Sequence, residues 1–235
     1  MSIVIRTGAA SDVGRMREGN EDAFLVTDGF VAVADGMGGH RGGEVASQLA
    51  LEVFAALSER GEGDLTSRID AANRAVLERS LRDRAVAGMG TTFTVIAFDG
   101  AVGRLAHVGD SRAYRFRAGE LTALTEDHTL VRRLVRAGEL TEEEARVHPQ
   151  RSVVTRALGA EPDVEVDEGQ LDLRPGDRYL LCSDGLTGMV PDDDIRAVLA
   201  EGSDPEATCV RLVDEANLRG GPDNITVLVV DIDDA

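Results

Sequence analysis

Carboxylates recur in this sequence where apolar, strand-like runs begin or end. The four clearest cases are Asp35, Asp110, Asp184 and Asp223. A carboxylate packed against an apolar strand is costly unless a positive charge meets it. If the strands bring these side chains to one sheet edge, they can stay ionised together only with bound cations. Oxygen donors alone, with no Cys or His at ligand spacing, favour Mg²⁺ or Mn²⁺ over zinc.

Two further acids, Glu21 and Asp22, precede the strand-like run that starts at Ala23. Any one acidic residue next to glycine is also typical of a simple turn. We therefore assign Asp99, in "FDGA", and Asp177, in "RPGD", to turns. The four aspartates named above differ because an apolar strand leads into or out of each.

The loop "DGMGGHRGG" after Asp35 invites a different interpretation, a dinucleotide-binding fingerprint. That motif needs a third glycine where Arg41 stands, and no βαβ unit surrounds it.

His40 is the histidine beside Asp35 and is therefore considered for proton transfer. We interpret the other histidines, and the two cysteines, as structural: His107, His128, His148, Cys182 and Cys209.

Composition limits the function classes. The 235 residues fit one domain, 1–235, and the net charge of -18 argues against nucleic acid and anionic membranes as partners. The sequence contains no lysine, which excludes a P-loop or Schiff-base lysine. No run approaches the roughly 20 apolar residues of a membrane helix, and the N-terminus lacks a signal peptide. We expect a cytoplasmic protein.

Short β-branched runs alternate with helical patterns, which predicts a layered α+β fold with mainly antiparallel strands. The strand-like runs are 23–26, 31–34, 91–98, 102–108, 113–116, 178–183 and 225–232, with hairpin turns at "FDGA" and "RAGE". The predicted helices are 42–60, 65–86, 191–200 and 204–218. Between them, about 129–155 predicts a flap of short helices, one ending at Gly138 and one beginning with a Thr141 capping box.

Eight motifs occur in the order found in metal-dependent protein phosphatases of type 2C, the PPM family. They are "SDVGRMREGNEDAF", "VAVADGMGGHRGGEVAS", "MGTTFTVIAF", "HVGDSRAYRF", "LTEDHT", "RSVVTRALG", "LLCSDGLTGMV" and "GGPDNITVLVV". The chain resembles this family from about residue 11 to 230, and its flap resembles that of the compact bacterial members. The resemblance implies an α-β-β-α four-layer sandwich: two central antiparallel sheets flanked by helices, with metals at one end and a flap insertion.

The resemblance also implies residue roles. Asp35 bridges two core Mn²⁺ or Mg²⁺ ions, the carbonyl of Gly36 binds one of them, and Asp184 and Asp223 complete the ligand shell of the second ion. Glu21 and Asp22 act mainly through bound waters, and Asp110 with Asp184 holds a third ion. Arg17 grips the substrate phosphate, and Asn224 orients the site.

The implied activity is hydrolysis of phosphoserine and phosphothreonine in proteins. Hydroxide that bridges the two ions attacks phosphorus directly, with no phosphoenzyme. Phosphorylated proteins, such as bacterial Ser/Thr kinases and their substrates, are the implied partners. One departure concerns the proton donor: animal members carry a histidine directly after the Asp-Gly pair, where this chain has Met37. Water and His40 both stay open for that role.

Two other functions compete with this interpretation. A phosphatase fold that has lost catalysis would serve as a binding or sensor module, and absence of metal-dependent turnover would reveal it. Another two-metal hydrolase, such as a nuclease, would need a basic stripe for nucleic acid, and this acidic chain shows none.

Overall fold

Two antiparallel sheets form the centre of the fold. The structure, a computed structural model, describes residues 3–39 and 41–235. Its strands are β1 Ile3–Asp12, β2 Asp22–Val26, β3 Phe30–Met37, β4 Gly90–Thr91, β5 Phe93–Asp99, β6 Val102–Val108, β7 Arg112–Arg117, β8 Glu120–Ala123, β9 Asp167–Asp172, β10 Arg178–Cys182 and β11 Ile225–Asp234. The first sheet has the order β1-β11-β10-β7-β8. The second has the order β2-β3-β5-β6-β9, and β4 pairs with β3.

Helices cover the outer face of each sheet. They are α1 Gly42–Glu59, α2 Leu65–Arg82, α3 Leu130–Arg136, α4 Glu142–Val147, α5 Asp184–Thr187, α6 Asp192–Ala200 and α7 Pro205–Leu218. Side chains of α1 and α2 share a buried cluster with the second sheet, and those of α6 and α7 share one with the first. The α-β-β-α sandwich implied by the resemblance is therefore confirmed.

The layers follow from the alternation of side chains along each strand. In β3, Val31 and Val33 point into the cluster between the sheets, while Ala32 and Ala34 point toward α1 and α2. In β10, Tyr179 and Leu181 likewise face the second sheet, and their neighbours face the helices. Because both faces of these strands are buried, their sequences are continuously apolar instead of alternating.

The structure confirms the capping signals predicted at the starts of α4 and α7. Asp204 caps α7 by accepting from the backbone of Glu206 and Ala207, with Pro205 at the first helical position. Thr141 and Glu144 form the predicted capping box of α4. The second helix is shorter than predicted: it ends at Arg82 because Asp83 is extended and its side chain starts a separate 3-10 turn.

Four elements are missing from the predicted runs: β1, β8, β9 and α5. The strand β1 pairs with β11 along its whole length, from Ile3 opposite Asp234 to Asp12 opposite Ile225. Both β1 and β9 lie at sheet edges and are only partly buried. β1 opens with three apolar residues, 3–5, but continues with small and polar ones, and β9 has no apolar run. None of the helices in the described part of the chain combines the length and apolar character needed to cross a bilayer.

The segment 129–155, which we call the flap, leaves the sandwich between β8 and β9. It contains α3 and α4. Its two ends meet in a backbone bridge between Thr129 and Val154, and Leu130 N donates to Val153 O at 2.9 Å. The flap is therefore anchored at one closed neck.

His107, in β6, is fully enclosed and hydrogen-bonded through both ring nitrogens. Its Nδ1 lies 2.9 Å from Thr94 Oγ1, and its Nε2 lies 3.2 Å from the carbonyl oxygen of Glu126. The carbonyl can only accept, so Nε2 carries the proton and Nδ1 accepts from the hydroxyl. Burial, reinforced by the neighbouring ring of His128, lowers the pKa of His107 to about 4. The sequence-based interpretation of His107 as a packed strand residue fits these contacts.

This depressed pKa predicts that the stability contributed by His107 is lost in acid. Below the ordinary histidine pKa of 6.5, the unfolded chain binds a proton that the native His107 does not, so this one contribution to the free energy of unfolding falls as pH drops toward 4. The loss from His107 between pH 6.5 and 5 is about 2 kcal/mol. The check is urea unfolding at several pH values for wild type and His107→Asn, which keeps an acceptor for Thr94. An equally steep pH dependence in the variant would contradict the prediction.

Candidate metal centre

Carboxylates from both sheets meet at one end of the sandwich. The second sheet contributes Asp22 and Asp35, which are direct cross-strand partners in β2 and β3, and Asp110, just past the end of β6. The first sheet contributes Asp184, the first residue of α5 after β10, and Asp223, which precedes β11. The gathering of the four predicted aspartates is thus a result of two sheets packing face to face.

The sequence context predicted that Asp35 lies at the end of its strand. In the structure it lies inside the strand instead. The strand β3 continues to Met37, because β4 adds a short pairing in which Gly36 opposes Thr91. Asp35 itself is anchored through its backbone. Its N–H donates to Thr92 Oγ1 at 2.8 Å, and its carbonyl oxygen accepts from Thr92 N at 2.9 Å. The side chain is therefore held at a rigid strand position and makes none of these anchoring bonds.

The electrostatics of this cluster favour added positive charge. Asp22, Asp35 and Asp184 are each partly exposed to solvent. Nearby protein atoms nevertheless displace most of the water around their carboxylates. This desolvation is the largest cause of a raised pKa in every case, about 7 for Asp22 and about 6 for Asp184. The pKa of Asp110 rises to about 8 for the same reason. For Asp35 the pKa is raised well above its usual range, with four neighbouring aspartates adding to the effect of burial.

One buried oxygen in the cluster has no hydrogen-bond partner among the described residues. Asp22 Oδ2 accepts from Ser183 Oγ at 2.7 Å, which ties the two sheets together, whereas Asp22 Oδ1 is buried and unpaired. A buried carboxylate oxygen normally has a partner, so an orphan of this kind indicates a missing ligand. A hard cation fits both this orphan oxygen and the all-oxygen donor set.

The side chains are not arranged as a closed ligand set. Among residues 3–39 and 41–235, no group of three or more His, Cys, Asp or Glu side chains converges on one point as metal ligands do. Other contacts hold the oxygens instead. Ser183 holds Asp22, and Arg17 holds Asp223. Cation binding at this cluster therefore requires side-chain rotation, while the backbone positions are already in place.

Two glycines let the first turn of α1 approach the acidic cluster. A Cβ atom on Gly43 would collide with Glu21 Oε2, and one on Gly36 would collide with the carbonyl oxygen of Gly43. The carbonyl oxygen of Glu21 completes the junction by accepting from Gly36 N at 3.2 Å and from Ser47 Oγ at 2.6 Å. Gly36 and Glu21, both predicted site residues, are thus in direct contact.

A loop held by Asn224 carries the predicted phosphate ligand. Arg17 Nη2 donates to Asp223 Oδ2 at 2.7 Å, and half of the arginine side chain remains exposed. The amide of Asn224 donates to the carbonyl oxygens of Val13 and Gly19 at 2.9 Å each, and its oxygen accepts from Glu21 N at 2.8 Å. Asn224 thus clamps the whole loop against the start of β11.

Sequence reasoning missed the hydroxyl side chains that support the acids, above all Thr92 and Ser183. Thr92 fixes Asp35, and Ser183 fixes Asp22. The available signal was position alone, since Thr92 lies beside a strand start and Ser183 directly precedes Asp184. His40, the predicted candidate for proton transfer, lies outside the described residues.

A cavity of about 520 Å³ opens beside the acids. Its lining includes Asp110 and Asp184 and, from the flap, Arg132, Arg146 and Arg151. Arg132 is paired with Glu126 and Glu142, which line the cavity as well. The cavity therefore joins the acidic end of the sandwich to the flap and its arginines.

Comparison with known proteins places this centre in a family context. The sequence model of the family described as "Protein phosphatase 2C" matches residues 15–215. The chain is 45% identical over 239 residues to the serine/threonine protein phosphatase PstP of Mycobacterium tuberculosis, covering 100% of this chain and 46% of PstP. It thus spans about half the length of that relative. It is 38% identical to the serine/threonine phosphatase stp of Listeria monocytogenes, over 95% of this chain and 94% of stp.

A solved structure agrees with the sequence matches. The catalytic domain of PstP, crystallised in complex with two manganese ions, superposes with a TM-score of 0.90 at 42% identity and covers 99% of this chain and 100% of that domain. Family match and shared architecture extend over nearly all of the chain. By sequence and by fold, this chain is a member of the protein phosphatase 2C family.

Proposed function

We propose that this chain is a Mn²⁺- or Mg²⁺-dependent phosphatase that hydrolyses phosphoserine and phosphothreonine in proteins. The observation that carries the proposal is the crowded set of acids with raised pKa values, in which Asp22 Oδ1 is buried with no hydrogen-bond partner among the described residues. Such a set is stabilised by cations, and the PstP structure with two manganese ions offers a precedent on the same fold.

The proposed ligands are the residues expected from the sequence. Asp35 would bridge two core ions, with the carbonyl of Gly36 on one of them, and Asp184 and Asp223 on the second. Glu21 and Asp22 would act through waters, and Asp110 with Asp184 would hold a third ion. When bound, the ions would acidify a water for direct attack on phosphorus and would neutralise charge on the phosphate oxygens.

The chain's own side chains would bind and orient the phosphate. Arg17 offers a planar fork that matches two phosphate oxygens, which lysine cannot do. Its guanidinium already lies 2.7 Å from Asp223, so the phosphate ligand and an ion ligand are adjacent. Asn224 would keep that adjacency by clamping the loop that carries Arg17. For the leaving oxygen, both water and His40 stay open as the proton source.

The substrates would be phosphorylated proteins, including bacterial Ser/Thr kinases and the proteins they modify. We further propose that residues 1–235 work as one catalytic domain and that the flap contributes to substrate choice. Its arginines line the cavity that begins at Asp110 and Asp184, so a bound substrate segment would contact both the flap and the acids.

The deciding experiment is hydrolysis of a phosphothreonine peptide with Mn²⁺, after EDTA treatment, and after Mn²⁺ is restored. We expect turnover that EDTA removes and Mn²⁺ restores. A folded protein that shows no turnover with Mn²⁺ or Mg²⁺, yet binds Mn²⁺ or phosphopeptide in calorimetry, would instead identify a binding or sensor module. Turnover that survives complete metal removal would contradict the metal assignment.

A further inference from the structure

His128 connects the turn that carries Asp110 to the neck of the flap. Its Nδ1 lies 3.0 Å from Gly109 N, and its own backbone N–H donates to Gly109 O at 2.7 Å. A backbone N–H can only donate, so Nδ1 must be an unprotonated acceptor and the ring proton sits on Nε2. Nε2 lies 3.2 Å from Asp167 Oδ2, which accepts that proton's hydrogen bond. Burial also lowers the pKa of His128, which agrees with a neutral ring.

The ring of His128 is held in place on every side. It is buried and stacks on the ring of His107 with centroids 4.8 Å apart. Arg156 Nη1 donates to Asp167 Oδ1 at 2.7 Å and so holds the carboxylate that accepts from Nε2. The position of Nδ1 is therefore fixed by packing, as a group that positions another must be.

The carbonyl of His128 fixes the neck of the flap. Its oxygen accepts from Thr155 N at 2.7 Å and from Thr155 Oγ1 at 3.1 Å. The next residue, Thr129, forms the backbone bridge to Val154. One residue thus contacts both ends of the flap and the turn at Gly109.

A second set of bonds holds this turn from the opposite side. Ser111 Oγ lies 2.8 Å from Thr92 Oγ1, and the same Thr92 oxygen accepts from Asp35 N at 2.8 Å. The residues on either side of Asp110 are therefore held by different parts of the fold: Gly109 by the neck of the flap, and Ser111 by the strand of Asp35 through Thr92. The contacts of Gly109 and Ser111 thus set where the Asp110 backbone lies relative to Asp35.

We propose that His128 is a positioning residue for Asp110: by accepting the Gly109 N–H, its Nδ1 fixes the turn from which Asp110 binds an ion. The inference rests on the proposed function, in which Asp110 with Asp184 holds the third ion. It adds a link between that ion and the flap, because the same residue anchors both. Ordering of the flap and ion binding by Asp110 are then coupled through His128.

Two substitutions separate the Nδ1 contact from the rest of the side chain. In His128→Asn, the amide oxygen takes the place of Nδ1 and can accept from Gly109 N. In His128→Gln, the amide reaches the place of Nε2 and leaves the Gly109 N–H unsatisfied. Both lose the stacking on His107, so both are expected to unfold at a similarly lowered temperature.

Mn²⁺ titration calorimetry of both variants is the test. We expect His128→Gln to weaken the weakest Mn²⁺ site about tenfold, while His128→Asn stays within about twofold of wild type, as expected from one unsatisfied buried N–H. With p-nitrophenyl phosphate, His128→Gln should lower kcat and leave KM unchanged. Equal Mn²⁺ affinities in the two variants, or a loss confined to His128→Asn, would overturn the proposal.

Hydrogen exchange on the wild-type protein provides a measurement that needs no variant. The Gly109 amide should exchange slowly, and more slowly still with Mn²⁺ bound. Exchange at the rate of an exposed amide would overturn the proposal, even if both variants failed to fold. Absence of turnover in the wild type would refute the proposed activity, whereas the calorimetric comparison and the exchange rate would still decide the role of His128.

Discussion

Replacing Asp35 by asparagine is expected to abolish metal-dependent turnover and, in EDTA, to raise the melting temperature of the protein. The bonds that anchor Asp35 come from its backbone, to Thr91 and Thr92, so asparagine keeps them. What it removes is one crowded charge beside four other aspartates. The same charge that destabilises the metal-free fold is the one that would be shared by both core ions.

The size of the two effects can be estimated separately. Losing a ligand common to both ions removes several kcal/mol of transition-state stabilisation, which corresponds to a loss of about a thousandfold or more in kcat. The gain in stability should be larger at pH 8 than at pH 6. At pH 6, Asp22 and Asp110, with pKa values of about 7 and about 8, are largely protonated and repel Asp35 less.

The measurements are Mn²⁺-dependent hydrolysis of a phosphothreonine peptide and thermal unfolding in EDTA at both pH values. The matched control is Asp99→Asn, which removes one carboxylate from the exposed hairpin turn after β5 and should change neither quantity. Asp184→Asn should resemble Asp35→Asn in activity. Near-native turnover in the Asp35 variant would exclude it as an ion ligand.

The position of the acids could be predicted because a charged residue next to an apolar run can be recognised in the sequence alone. Asp35, Asp110, Asp184 and Asp223 each interrupt such a pattern, and strands of one packed sandwich must end at one of two ends. The pairing that brings Asp22 opposite Asp35 could not be read in this way. It depends on the register of β2 against β3, which is set by tertiary packing.

The missed features share a physical cause: they depend on partners distant in the sequence. The strand β9 buries only Leu171, so its sequence "DEGQLD" has no apolar run, and pairing with β6 alone makes it a strand. Thr92 and Ser183 look like ordinary small polar residues until the strands that they bridge are in contact. The hydrogen bond between Asp22 and Ser183 joins the two sheets through residues that are 161 positions apart in the sequence.

Arg17→Ala is expected to raise KM for a phosphothreonine peptide by about ten- to a hundredfold, because a charge-assisted hydrogen bond is worth about 1.5–3 kcal/mol. The fold should not change, since Arg17 is half exposed and its ion pair with Asp223 contributes little at a surface. Mn²⁺ affinity should stay the same or tighten, because Asp223 loses its competing partner.

Two further variants distinguish a phosphate fork from a general positive charge. Arg17→Lys keeps the charge but has no planar fork, so it should recover only part of the lost affinity. Arg15→Ala removes the same charge from an exposed neighbour in the same loop and should leave KM within about twofold, as expected for a screened surface charge.

The comparison requires steady-state kinetics and inorganic phosphate inhibition for all three variants. If Arg17→Ala and Arg15→Ala weakened binding equally, or if lysine restored it fully, Arg17 would attract substrate by charge alone. Full loss of phosphate inhibition in Arg17→Ala alone would place its guanidinium on the phosphate, because only a direct contact separates two equal charges so close together in one loop.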